Sequence, residues 1–384
     1  MRNHFSLFSR TGLILVSMIS LLGNANAGVF APAVNYSAGT NPGFVAVADF
    51  NEDGFADLAV TNSNLFGGGD SNVSILLGQG DGTFRSGGEY TAARSPRAVA
   101  VGDFNHDRHI DLAVTNETSG NLSILLGNGD GTFQSPVNYP AGRRPFFVTA
   151  ADLNADGVLD LVVTNLLDTG RISVMLGNGD GTFQPPAIHL VAPNVRPHMV
   201  AIADINHDGK PDLVVASAGV GPKPGGVSVL MGKGDGDFRA PLQVEAGGNP
   251  FGVAVADFNG DHQLDLAVAD ETDSTLTILP GLGKGKFGQP VTYATGTLPF
   301  CVVAVDVDGD GNLDLVTANE NSNDVTVLLG NGRGSFASAI SFPVDQAPQG
   351  LAVGNFDANA SPDLAVPNLI SNDVSILINT GAAR

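Results

Sequence analysis

Short apolar runs recur along the chain between polar, glycine-rich turns. The run Phe44-Val45-Ala46-Val47-Ala48 enters an acidic loop, and Asp57-Leu58-Ala59-Val60 leaves it. After a polar, Asn-rich connection comes Val73-Ser74-Ile75-Leu76-Leu77, then a Gly-Gln-Gly-Asp-Gly-Thr-Phe turn over Gly78 to Phe84, then a more polar stretch ending at Tyr90. Runs of this length, rich in Val, Ile and Leu and bounded by Gly and Asp, predict β-strands. Their nearly continuous apolar character predicts strands covered on both faces.

The pattern repeats. The loop that begins Asp49-Phe50-Asn51-Glu52-Asp53-Gly54 returns at Asp103, Asp152, Asp204, Asp257 and Asp306, and in degraded form at Asn355. Seven units of about 50 residues account for residues 28–384. Four antiparallel strands per unit, seven times over, predict an all-β fold, a seven-bladed β-propeller. The ends agree. Gly28-Val29-Phe30-Ala31-Pro32-Ala33-Val34-Asn35-Tyr36 matches Gly131-Thr132-Phe133-Gln134-Ser135-Pro136-Val137-Asn138-Tyr139, so the first unit begins with a fourth strand. The chain stops after Ile376-Leu377-Ile378-Asn379, a third strand. The strand missing at one end is the surplus at the other, so the ring should close by pairing the N- and C-terminal strands.

Composition narrows the possibilities. Fifty glycines without a collagen period fit many tight turns. A net charge of −21 leaves no basic surface for phosphate, which argues against a nucleic-acid partner. Arg2 and Arg10, the apolar run Gly12 to Leu22 and Ala25-Asn26-Ala27 read as a secretory signal peptide over residues 1–27, so the protein is expected to be secreted. No stretch is long and apolar enough for a transmembrane helix. The single cysteine, Cys301, sits in an apolar strand and reads as a small buried hydrophobe.

The acidity is placed, not scattered. Asp or Asn at loop positions 1, 3 and 5, a backbone carbonyl at position 7 and an Asp at position 9 supply the hard oxygen ligands that Ca²⁺ takes. In the first blade these are Asp49, Asn51, Asp53, the carbonyl of Phe55, and Asp57. The second has Asp103, Asn105, Asp107, His109 and Asp111; the third Asp152, Asn154, Asp156, Val158 and Asp160. The fourth has Asp204, Asn206, Asp208, Lys210 and Asp212; the fifth Asp257, Asn259, Asp261, Gln263 and Asp265; the sixth Asp306, Asp308, Asp310, Asn312 and Asp314. Turn preference alone would explain one such loop. Six that crowd carboxylates at positions 1, 5 and 9 fit calcium better, because like charges repel without a cation. Position 6 wants glycine for its positive φ. Arg108 and His262 stand there in the second and fifth loops, which are expected to be distorted, and Asn355, Asp357, Asn359, Ala360 and Asp363 read as a metal-free turn. About four to six ions are expected in all.

These motifs resemble a known family. The Val-Ala-Val-Ala-Asp-Phe-Asn-x-Asp-Gly-x-x-Asp-Leu-Ala-Val unit, followed by Leu-Leu-Gly-Asn-Gly-Asp-Gly-Thr-Phe, is similar to the FG-GAP/VCBS repeat across residues 28–384. The resemblance implies a calcium-bearing propeller like that of integrin α-subunits, certain fungal lectins and many secreted bacterial proteins. It implies little about function, since one propeller hosts lectins, adhesins and lyases.

A proline precedes the innermost strand of every blade, and the residues after it are Gly43, Arg97, Phe146, His198, Phe251, Phe300 and Gln349. They are expected to ring the mouth of the central channel, with Arg143 and Arg144 beside them. Asn116 and Glu117, Asp270 and Glu271, and Asn319 and Glu320 come from the second-to-third loops of the same face. An aromatic, basic and amide rim would suit an extracellular glycan or protein ligand; the alternative is solvated loops over a capped channel. The leading reading is a non-enzymatic binding or adhesion module. The rival is a polysaccharide lyase or hydrolase, although no Gly-x-Ser-x-Gly or His-Glu-x-x-His motif is present. A structural envelope component is a third.

Overall fold

The computed structural model describes residues 29–64, 71–221 and 224–381. Residues 1–27, read above as a signal peptide, lie outside them. Seven four-stranded antiparallel sheets form the blades of a propeller. Blade one runs from an inner strand Pro42–Ala48 through Asp57–Asn62 and Asn72–Gly78 to an outer strand Phe84–Thr91. Blades two to six repeat this order, starting at Pro96, Pro145, Val195, Pro250 and Pro299. Blade seven takes its first three strands, Ala352–Gly354, Asp363–Asn368 and Asp373–Leu377, from the C-terminal end and its outer strand, Val34–Ser37, from the N-terminal end. The closing register sets Val34 against Ile376 and Ser37 against Asp373, so the expected ring closure is present. Among the described residues no helix is long and apolar enough to cross a membrane.

The hydrophobic pattern is explained by where each strand lies. Second strands are buried at every position in six of the blades, and in blade four at every position but the last. Outer strands are mostly exposed, with one to three side chains in each turned at least partly inward. The apolar clusters form between neighbouring blades: Phe50, Ala59, Val73, Ile75 and Leu77 of blade one meet Val99, Leu112, Val114, Leu125 and Phe133 of blade two. Each blade therefore supplies half of two cores, and the driving force for folding is the apolar area hidden at these joints.

Polar ties fix the joints. The Thr61 hydroxyl donates to the Arg97 carbonyl of the next blade at 2.8 Å, and Thr164 does the same to His198 at 2.7 Å. On the opposite face, the third-to-fourth turn of one blade sits on the acidic loop of the blade before it. The Gly131 N–H donates to the Phe50 carbonyl at 2.9 Å, and the Phe133 ring meets Phe50 edge-on at 5.5 Å. Phe183 on Phe104, Phe336 on Phe258 and Phe84 on Phe356 repeat the contact. The Gly-x-Gly-Asp-Gly-Thr-Phe segments are thus hairpin turns whose Phe packs inward.

Candidate functional site

The acidic loops lie between the first and second strands, on one face of the ring. Position 1 organises each. In the first six loops its carboxylate accepts the position-5 N–H at 3.0–3.3 Å and the position-6 N–H at 2.7–2.9 Å. Position 6 of these six loops is left-handed, at 88° in Gly54, and Arg108 (76°) and His262 (66°) adopt the same turn. The expected distortion of loops two and five is therefore absent. The position-1 carboxylate bonds hold these two non-glycine residues in the turn, against a backbone cost of about 1–2 kcal/mol each. Position 4 is left-handed too, at Glu52, His106, Ala155 and His207, a demand the sequence did not reveal because no glycine marks it in those loops.

Position 9 proves to be a structural tie in all seven blades. Asp57, Asp111, Asp160, Asp212, Asp265, Asp314 and Asp363 are fully or almost fully buried. One oxygen of each accepts the position-2 N–H at 2.7–3.0 Å. The other accepts an N–H just beyond the third strand's core, at 2.6–2.8 Å. In six blades that donor is a glycine, because a Cβ there would sit 2.1–2.4 Å from the position-8 carbonyl oxygen. Burial, reinforced by the neighbouring loop carboxylates, pushes Asp57, Asp111 and Asp314 up to about 6 against the pull of the two N–H donors.

The loops differ at position 3. Asn51, Asn105 and Asn154 donate their amides to the position-5 carboxylate at 2.8–2.9 Å. Asn206 and Asn259 instead turn toward Asp212 and Asp265. In loop six an aspartate replaces the amide, and ligand oxygens of Asp306, Asp308 and Asp314 all lie within 4.8 Å of one another. Among the described residues this is the one group of three acidic or metal-binding side chains that converges so closely. An all-oxygen donor set fits a hard cation such as Ca²⁺. Loop seven follows another hydrogen-bonding scheme, in which the Asn359 N–H donates to Asp357 and the Ser361 N–H to Asn359.

On the other face the residues after the prolines point into the central channel. A register shift follows the proline in blades one to six, and this bulge turns the next side chains inward. The result differs from an open rim. Phe146, Phe251, Phe300, Arg97, His198 and Gln349 are all buried, and together with Phe44 they fill the channel. Phe251 lies 3.7 Å from His198 and 4.0 Å from Phe300, centroid to centroid. The Arg97 guanidinium sits 4.9 Å over Phe146 and 5.9 Å from both Phe44 and Phe300. Large side chains from most of the blades meet across the channel, as the capped channel of the alternative reading requires.

Burial sets the chemistry of this plug. His198 is pushed down to about 3 by desolvation, with Arg196 and Arg97 adding to the effect, so it is neutral. Arg97 is lowered to about 10 by burial and remains charged. Its Nε and Nη1 have no hydrogen-bond partner among the described residues, so the aromatic faces carry much of its stabilisation. Around the plug, Arg144 pairs with the buried Glu117, Gln349 donates to Glu320 at 3.1 Å, and Asn249 donates to Glu271 at 2.9 Å. Arg143 is exposed. Cys301 is buried and its thiol is pushed up to about 12 by desolvation.

Comparison with known proteins places this geometry. No curated protein matches the chain. Many solved structures share the fold, and three illustrate it. The first, BBS1N in complex with ARL6DN, has a TM-score of 0.62 at 17% identity, covering 93% of this chain and 99% of that one. The Pseudomonas aeruginosa periplasmic gluconolactonase PpgL has 0.59 at 19%, covering 80% and 87%. An Agrocybe aegerita lectin that recognises non-reducing terminal N-acetylglucosamine has 0.52 at 18%, covering 81% of each. The FG-GAP-like repeat model matches residues 63–114, 103–163, 164–215, 216–268, 257–317 and 306–366, and the FG-GAP repeat model matches 41–76. With these matches spanning most of the chain, and with an acidic loop at the same place in each blade, the chain belongs to the FG-GAP repeat family.

Proposed function

We propose that the protein is a secreted, calcium-stabilised propeller that acts as a non-enzymatic binding module for extracellular glycans or proteins. The observation that carries this reading is the filled channel. Arg97 and His198, the inner-strand side chains best suited to acid–base or electrophilic work, are buried among phenylalanines, and the histidine is locked neutral. What the ring offers to solvent is loops and inter-blade grooves, which suits recognition. Among proteins of this fold, the fungal lectin is named for a sugar and the periplasmic gluconolactonase for a reaction, so the fold supports either class and the site must decide.

Calcium would be held by the loop oxygens. Asp306, Asp308, Asp310, the Asn312 carbonyl and Asp314 form the most acidic set, and the corresponding groups of loops one to five form the others. A bound ion would neutralise the crowded carboxylates and stiffen the loops that seat the next blade. Loop seven, with its different hydrogen bonding, stays a turn.

The test is a glycan array and a surface-protein pull-down with the mature chain, alongside turnover assays on the same polysaccharides. Saturable binding without turnover is expected. Polysaccharide cleavage that is lost in Glu271→Gln or Glu320→Gln with unchanged melting would replace this reading with the enzymatic one.

A further inference from the structure

Lysine is confined to one sector of the ring. In a chain of net charge −21, all five lysines fall between residues 210 and 286. Lys210, Lys233, Lys284 and Lys286 belong to blades four and five, and Lys223 lies outside the described residues. The hairpin turn of blade five concentrates them. In blades one to three this turn carries an aspartate, Asp81, Asp130 or Asp180, which accepts bonds from a threonine two residues on. Blade five has Leu282-Gly283-Lys284-Gly285-Lys286, with lysine in place of both the aspartate and the threonine.

The substitution is not one the turn needs. The closing bond from the Leu282 N–H to the Lys286 carbonyl is kept at 2.8 Å, and Gly283, Lys284 and Gly285 are left-handed in succession at 75°, 55° and 71°. Lys284 takes a left-handed conformation that glycine adopts without strain, so the charge stands here against the backbone's preference.

Two adjoining grooves open beside it. One, of about 390 Å³, is lined by Arg239, Leu242, Lys284 and Asp208; the other, of about 610 Å³, by Leu242, Leu282, Lys284, Lys286 and Glu245. Lys233 is paired with Asp237, but among the described residues Arg239, Lys284 and Lys286 form no ion pair. Leu282 is 65% exposed and Leu242 45%. Three cations without an ion pair thus outnumber the two carboxylates, Asp208 and Glu245, on a surface they share with two bare leucines.

We infer that this groove between blades four and five docks a carboxylate-bearing polysaccharide. The inference rests on the proposed role as an extracellular binding module and names its ligand class. Charge complementarity selects an anion. The surrounding acidity disfavours a densely charged polymer, whereas carboxylates spaced by sugar rings let the cations be matched singly while the leucines pack on C–H faces of the sugar.

The experiment is titration of the mature chain with hyaluronan, neutral dextran and poly-glutamate, for wild type and the Arg239→Gln/Lys284→Gln/Lys286→Gln variant. Wild type should bind hyaluronan and not dextran, with affinity falling as salt rises from about 50 to 200 mM, because the exposed cations are screened. The variant should lose at least tenfold with unchanged melting. Absence of hyaluronan binding, equal binding by the variant, or equal or tighter binding of poly-glutamate would each overturn the assignment. The glycan array separates the two levels. Neutral glycans bound equally by wild type and variant, without hyaluronan binding, would sink the groove and leave the binding module standing; no ligand of any kind would sink both.

Discussion

Replacing Asp363 by alanine isolates the position-9 tie from any metal effect, because loop seven reads as a metal-free turn. The Asp363 carboxylate is buried and accepts the Phe356 N–H and the Asn379 N–H, both at 2.7 Å. Alanine leaves two buried backbone donors without acceptors. Each unsatisfied donor costs about 1–3 kcal/mol. Against this, the variant no longer buries a charge, a cost visible in the upward shift of the Asp363 carboxyl. A net loss of about 3 kcal/mol is therefore expected. Asp363→Asn keeps one acceptor and turns an amide N–H toward the other donor, so it should lose about 2 kcal/mol. The assay is urea unfolding with linear extrapolation, with and without chelator, using the exposed Glu245→Ala as a control expected within about 0.5 kcal/mol of wild type. A loss below about 1 kcal/mol for Asp363→Ala, or one that depends on chelator, would refute the reasoning.

Further outcomes follow from the same geometry. Chelation should lower the melting temperature, since an ion present at a hundred times its dissociation constant contributes about 2.7 kcal/mol per site; an unchanged melt would mean that the loops are only turns. His198 is neutral when folded to about pH 3 but titrates near 6.5 when unfolded. Its contribution is fully present above pH 6.5 and lost as pH falls toward 3. Between about pH 7 and 4.5 the wild type should therefore lose about 2–3 kcal/mol more than His198→Phe in paired denaturation curves, and parallel curves would contradict the neutral burial. Arg97→Met should melt at or above the wild-type temperature, because an apolar side chain of similar length avoids the desolvation of an unbonded cation; a drop of more than about 2 kcal/mol would show that Arg97 has a strong partner. Deleting the outer strand Val34–Ser37 should unpair the Val34–Ile376 register, which a large fall in the unfolding midpoint would report and an unchanged midpoint would refute.

Much of the architecture was legible in the sequence, for a local reason. Each blade repeats the same strand runs and turns at a period of about 50 residues, so seven copies of one pattern, with complementary ends, determined the number of blades and the closure between Val34–Ser37 and Asp373–Leu377. The acidic loops were legible too, because their carboxylates recur at fixed positions. Tertiary structure decided what those side chains touch. Asp57 and its counterparts in blades two to six look like ligands in the sequence; the structure adds that each accepts two backbone N–H groups, one from 7 residues earlier and one from 16–21 residues later. Arg97, Phe146, His198, Phe251 and Phe300 look like a rim, yet they form a plug. Each is one residue per blade, and only closure of the ring brings the seven positions within contact, where their combined bulk fills the channel. Sequence determines what a single blade contains. The convergence of blades determines which of its residues are left for solvent.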